Sequence, residues 1–233
     1  MAIHQPNFLP WLGFFDKIRR SDVFVVMDNA QFSKTGGTWT NRVQMMVNKE
    51  PAWVTVPIDR AYHGLRTIRE MRINDSQPWR AKLLRTLEMN YGRAPYFKEL
   101  SPLVREVIEQ RTSDLAEYNL SAIRTLCTAL DLATPTVLGS TLRSEGHSTD
   151  LLIAMVQAVG GTAYLAGGGA AGYQEDHKFR QAGIDVTYQE FQHPVYAQLN
   201  TSSFKPGLSI VDALMNCGLE GVRELFQTSA RKQ

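Results

Sequence analysis

Side chains that can move protons or hold anions gather at a few places in these 233 residues. His4 and Gln5 stand just before Pro6, Asn7, Phe8 and Pro10, and Asp28 closes an apolar run that begins at Val23. Gln31 and the pair Asn41-Arg42 follow Asp28, and His193, Tyr196 and Gln198 form a later cluster. An imidazole is a proton acceptor near neutral pH, and a carboxylate can take a proton or hold an amine. Amides and a guanidinium bind hydroxyls and orient a phosphate or carboxylate. A further stretch, Gly167-Gly168-Gly169-Ala170-Ala171-Gly172-Tyr173, lies between a strand pattern and a helix pattern. That context suits a backbone cradle around a phosphoryl or acyl group. The glycines match neither a Walker loop nor G-x-G-x-x-G.

Each group has a plainer reading. His4 could be held by backbone, and Asp28 could cap a turn and pair with Arg42. Ser209, Asp212 and Asn216 share one helical face that could simply be solvated. Placement favours function for the first cluster, because His4-Gln5 and Asp28 each follow a short apolar segment of strand type. Side chains at the carboxyl ends of strands are where open α/β sheets bind ligands.

The elements that must position these groups follow from the apolar pattern. Residues 2–4 read as a strand and 11–20 as a helix with Pro10 in its first turn. That helix start would point free N–H groups at an anion, with Gly13 allowing close approach. Residues 23–27 form a continuous apolar run of the kind buried on both faces of a parallel sheet, and 52–58 a third strand broken by Pro57. Residues 33–41 read as a loop over the site. Helical spacing then covers 77–91, 100–110 and 114–132, with Ser76, Ser101 and Ser113 as candidate caps, giving a helical insertion or lid at about 76–132. Strands at 136–138, 162–166 and 184–191 alternate with helices at 149–159 and 175–181. A last helix, 209–215, stops at Gly218 and resumes over 219–226. The expectation is one α/β domain: a mainly parallel open sheet with helices on both faces plus the helical insertion.

Composition excludes several classes. Twenty-five Lys and Arg against 23 Asp and Glu leave a formal charge of +2, and no basic run is interleaved with aromatics, so a DNA partner is not expected. Cys127 and Cys217 sit apart in apolar helical patterns, which fits buried thiols in a reducing cytoplasm. No metal-ligand spacing occurs. Pro6 and Pro10 interrupt any leader-like stretch, and no segment approaches the roughly 20 apolar residues of a membrane span. A cytoplasmic protein without a membrane partner is expected.

The residues already singled out resemble the WbqC-like family. Its opening QPxxxPxxGxF corresponds to Gln5, Pro6, Pro10, Gly13 and Phe14, followed by Asp28, by Gln31-Phe32 and by Asn41-Arg42. The similarity continues at His147-Ser148-Thr149-Asp150, over 164–173 and 193–198, and at Ser209 to Asp212 with Asn216 and Gly218. The family is associated with surface-polysaccharide, O-antigen and natural-product gene clusters. The resemblance implies an acyl or aminoacyl transferase, for instance a glycyl transferase that N-acylates an amino sugar. Where many members carry Ser and Gly before the tyrosine, this chain has Ala and Gly over 166–172. More distantly the opening is similar to nucleotidyltransferases of the H-x-G-H type, of nucleotidyltransferase or HUP-like fold, but Trp11 and Phe14 occupy both histidine positions.

Three functions are therefore carried forward: an acyl or aminoacyl transferase, a nucleotide-utilising enzyme, and a non-catalytic binding protein. For the first, His4 or Asp28 would be the base. Gln5, Pro6, Phe8, Trp11, Gly13, Gln31, Asn41, Arg42, His147, Gly168, Gly169, Tyr173, His193, Tyr196 and Gln198 would bind substrate. The sequence names no cofactor; an activated acyl or aminoacyl donor, with a carrier protein or aminoacyl-tRNA as its possible source, and a small-molecule acceptor would serve the first function.

Overall fold

The computed structural model of the chain describes residues 1–34, 38–169 and 174–230. Strand β1 (Ala2–His4), helix α1 (Leu12–Arg19) and strand β2 (Phe24–Val26) open the fold. Strands β3 (Arg42–Val47) and β4 (Glu50–Thr55) come next, then helices α2 (Trp79–Tyr91), α3 (Phe97–Glu109) and α4 (Leu115–Ala129). The chain continues through β5 (Thr136–Leu138), α5 (Ser148–Ala158), β6 (Ala163–Ala166), α6 (Asp176–Gln181), β7 (Asp185–Tyr188) and α7 (Ile210–Ala230). Five strands make a parallel sheet in the order β5-β2-β1-β6-β7. The chain builds outward from β1 to β5 and then returns to lay β6 and β7 on the other side. Strand order therefore reverses between β1 and β6, the place where open α/β sheets leave a crevice.

Both faces of this sheet are covered, as the alternation of side chains shows. Ala2, Phe24, Val26 and Leu165 join the core packed by α1, α4 and α7, whereas Ile3, Val25, Tyr164 and Ala166 join the core packed by α5 and α6. A strand's side chains alternate between faces, so His4, two residues after Ala2, falls on the α1 side. Helices α2, α3 and α4 lie on that side too, contributing Leu83, Leu87, Val104, Val107, Tyr118 and Ile123 to the same continuous buried cluster.

Three local expectations change. The strand expected over 52–58 runs from Glu50 to Thr55 and pairs with β3 in a separate antiparallel hairpin, not with the parallel sheet. Asn48 and Lys49 turn that hairpin, both at positive φ (52° and 70°), the backbone of a tight primed turn. Lys49 in place of the usual glycine is why the hairpin hides in the sequence. The serine caps also differ: Asp114 caps α4 by accepting from the Glu117 N–H, whereas Ser101 lies inside α3. The strand expected over 184–191 ends at Tyr188.

Helix α7 is interrupted where expected, at Gly218, whose φ of 74° few side chains adopt. A Cβ there would stand 2.7 Å from the Tyr96 ring. Six residues earlier, buried Asp212 accepts from the Tyr91 hydroxyl (3.0 Å), the Tyr196 hydroxyl (2.7 Å) and Gln198 Nε2 (2.9 Å). Tyr91 in turn accepts from the Met46 N–H at 2.9 Å. This knot ties α7 to α2, to β3 and to the segment after β7.

Two stability predictions follow from those contacts. Tyr91→Phe leaves a buried N–H and a buried carboxylate oxygen without partners, and urea unfolding should show a loss of about 2 kcal/mol. Gly218→Ala combines an unfavourable φ with a clash against Tyr96, so the same measurement should record a loss of similar size, about 2 kcal/mol.

Candidate active site

Three neighbouring strands, β1, β6 and β7, end around a small cavity of about 250 Å³. His4 closes β1. Trp11, Gly13, Phe14 and Lys17 line it from α1 and its approach, Gly167, Gly168 and Gly169 follow β6, and Gln189 and Phe191 follow β7. The location is the crevice that the reversal of strand order creates.

Local chemistry fixes the state of His4. Its ring packs edge-on against Phe14, with centroids 4.9 Å apart, and Nδ1 lies 2.9 Å from the Gln5 carbonyl. A carbonyl only accepts, so the neutral imidazole carries its proton on Nδ1 and keeps a lone pair on Nε2. Burial, then the charge of Lys17, pushes the His4 pKa down to about 4, against a smaller upward pull from the Gln5 carbonyl. His4 is thus a neutral, oriented imidazole throughout the physiological range.

Lys17 is only 3 % exposed and donates to the Ile3 carbonyl at 2.9 Å. Burial lowers its pKa to about 8, and its ammonium lies 5.9 Å from the centre of the Tyr164 ring. Next to it in sequence, buried Asp16 is held by Arg19, Arg20 and Gln189 Nε2. The same Gln189 amide donates to the Gly13 carbonyl at 2.6 Å, which locks the start of α1 to the end of β7.

Trp11 forms the aromatic wall. Its ring meets Phe191 and His193 at 5.3 and 5.2 Å. Gly13 makes room for it, since a Cβ at that position would sit 2.0 Å from the indole. The close approach expected at Gly13 is therefore made by Trp11. His193 stands behind this wall, its Nδ1 accepting from the Gly207 N–H at 3.4 Å, and burial lowers its pKa.

The expected site residues separate into groups. His4, Trp11, Gly13, Gly168 and Gly169 line the cavity, Gln5 supplies the carbonyl that orients His4, and His193 backs Trp11. Pro6 and Phe8 are buried scaffold: the Pro6 carbonyl accepts from Asn119, and the Phe8 ring faces Tyr118 at 6.2 Å. Asp28 is buried, its two oxygens accepting from the N–H (2.8 Å) and hydroxyl (2.6 Å) of Ser140, which makes it the cap of the turn after β5. Asn41 donates to the Val56 carbonyl, and Arg42 opens β3 with its guanidinium 4.2 Å from the centre of the Trp53 ring. Gln31 lines a different pocket with Lys34 and Tyr62. His147 is exposed beside the start of α5, and Tyr196 and Gln198 donate to Asp212. Tyr173 lies outside the described residues. Neither Asp28 nor Arg42 lines the cavity beside His4.

Sequence reasoning passed over Lys17, Gln189 and Phe191. A signal for Lys17 existed, because it falls three and four residues after Phe14 and Gly13, on the stripe that α1 buries. Larger hollows lie elsewhere. One of about 1050 Å³ runs along α2 and α3, and one of about 680 Å³ between β4 and α2 is lined by Trp53, Trp79 and Leu83. The first is an open groove of solvated charge, such as the Arg105–Glu109 pair with both side chains more than half exposed. Such pairs do little to bind or shift anything. Among the described residues there is no cluster of three or more His, Cys, Asp or Glu that could hold a metal, and no helix is long and apolar enough to cross a membrane.

Comparison with known proteins places the chain among relatives by sequence. A Mycobacterium tuberculosis (strain ATCC 25618 / H37Rv) protein described as "Uncharacterized protein Rv1507c" is 30 % identical over 222 residues, which is 94 % of each chain. No solved structure matches. The model of the WbqC-like protein family matches residues 5–224, and the chain belongs to that family.

Proposed function

We propose that the protein is a transferase that moves an acyl or aminoacyl group from an activated donor to the amine of a small acceptor, in the cavity where β1, β6 and β7 end. The observation that carries this reading is His4: neutral, its Nδ1 proton committed to Gln5, its Nε2 lone pair left for a substrate proton. The acceptor nitrogen forms the new bond to the acyl carbon while Nε2 takes its proton and the carbonyl electrons move onto oxygen. The carbonyl then re-forms, the bond to the leaving group breaks, and the imidazolium returns the proton to that group. Backbone of Gly167, Gly168 and Gly169 would face the transient oxyanion. A Cβ on Gly168 or Gly169 would meet nothing within 4 Å, so the loop is open to a ligand. Asp28 takes no part as base in this reading, since both its oxygens already accept from Ser140.

Size supports group transfer over enclosure of a whole donor. A cavity of about 250 Å³ falls below the roughly 300–1,000 Å³ of sites that engulf a drug-sized ligand. It suits the reacting amine and a small acyl group such as glycyl, with the rest of the donor, a carrier-bound thioester or an aminoacyl-tRNA, outside. An amino sugar is the acceptor class that fits the family resemblance. A second reading, nucleotide use, draws support from the strand reversal, the glycine loop and the buried Lys17 at one point. Release of pyrophosphate from a nucleoside triphosphate would favour it over the first.

Transfer is tested by mass spectrometry of amino sugars incubated with the protein and a panel of aminoacyl and acyl thioesters and aminoacyl-tRNAs. An N-acylated product is expected, and His4→Asn should lower its rate about 100-fold or more. Absence of product with every donor, or an unchanged rate in the variant, sinks the reading. The second test is of pH. The folded pKa of His4 lies below its unfolded value, so folding disfavours the charged ring: this group's stabilisation is complete above about pH 6.5 and disappears as pH falls through about 4. In an imidazole NMR titration the resonance absent from His4→Asn should stay neutral until about pH 4.

A further inference from the structure

We infer that Lys17 makes the inner end of the strand-end cavity a subsite for an anionic group of the substrate, a carboxylate or a phosphate. The inference deepens the acyl-transfer reading by naming a substrate class and rests on that reading for the use of the site, although the binding it describes can be tested alone.

An ammonium carries three N–H donors and is expensive to bury without an opposite charge. Lys17 gives one hydrogen bond to the Ile3 carbonyl and lies near the face of the Tyr164 ring. Among the described residues no carboxylate comes within salt-bridge distance of it, and its neighbour Asp16 is pledged to Arg19, Arg20 and Gln189. A methionine would fill the same space without the charge. The cavity reaches the amine because residue 167 is glycine: a Cβ there would stand 3.7 Å from Nζ, and any longer side chain would lean over it. The anion would sit between Lys17 and the glycine loop, on the side of β1 that also carries His4.

This geometry couples binding to the base. Lys17 is the charged group that acts on His4, and its positive charge helps hold the imidazole proton-free. An anion on Lys17 offsets that charge and makes His4 a stronger base when substrate is present.

The test follows the His4 imidazole by NMR in the full chain while inorganic phosphate, and separately acetate, is added. In the wild type one or both should raise the His4 titration saturably, by about one unit. A response to phosphate alone assigns a phosphate, and a response to acetate alone a carboxylate. In Lys17→Met the titration should start higher and no longer respond, and the variant should unfold at higher denaturant at pH 7. Gly167→Val keeps the charge but covers it, and should also lose the response. No saturable response in the wild type overturns the inference whatever the variants do. An equal response in Lys17→Met, meaning an adventitious ion only, overturns it as well. Neither result depends on acyl transfer, which can fail while the anion still moves His4, or succeed with an uncharged substrate while it does not.

Discussion

Residues 5–11 must pass from the end of β1 to the start of α1 through the interior, and a buried stretch without regular structure strands its peptide groups unless distant elements meet them. Four do. The Phe8 N–H donates to the Trp39 carbonyl, Asn119 of α4 donates to the Pro6 and Thr40 carbonyls, Ser209 donates to the Leu9 carbonyl, and the Ile210 N–H donates to the Pro10 carbonyl. Leu9 is held fully buried at φ 39°, an unfavourable backbone for a residue before proline. The segment before the hairpin, α4 and the start of α7 are thereby recruited to hold one turn. That turn aims His4, Trp11 and Lys17 at a common space.

Two buried ionisable groups show how differently this protein treats charge. Asp212 is wrapped by three donors from two distant parts of the chain, whose hydrogen bonds pull against a burial that pushes its pKa up. Nothing is left for a ligand to do there, and the group serves to fasten α7. Lys17 receives a single carbonyl and a ring face, and an open loop beside it. Natural interiors satisfy their polar groups wherever only stability is at stake. The contrast therefore separates a carboxylate that fastens the fold from an amine that faces a cavity, which burial alone would not do.

The parallel sheet was legible because its strands are short, apolar and regularly interleaved with helices, so periodicity and the alternation of elements suffice. The hairpin was not, because after Asn48 its turn relies on Lys49 adopting a backbone that usually calls for glycine. At the site, His4 and the three glycines could be read from their position after strands. Lys17 offered only its place on the buried stripe of α1, a weak signal because a lysine in a short helix ordinarily reads as solvated, and Gln189 offered none, because a lone glutamine carries no pattern. Asn41, Tyr196 and Gln198 illustrate the converse limit. Their partners, Val56 and Asp212, stand 14 to 16 residues away, and only the folded chain shows that their hydrogen-bonding capacity is spent on those partners.

Gly13 shows how a family motif can act on a site through another residue. The glycine hydrogen is the only substituent small enough to let the Trp11 indole lie flat over α1, where Phe191 and His193 complete the wall. Any larger residue would push the indole outward, towards the same small space that His4 and Lys17 share. The proline-rich turn before Gly13 has a matching role, since it fixes where Trp11 enters. The motif is thus better understood as the frame that sets the width and direction of the cavity, whose lining includes the imidazole just before it and the amine just after.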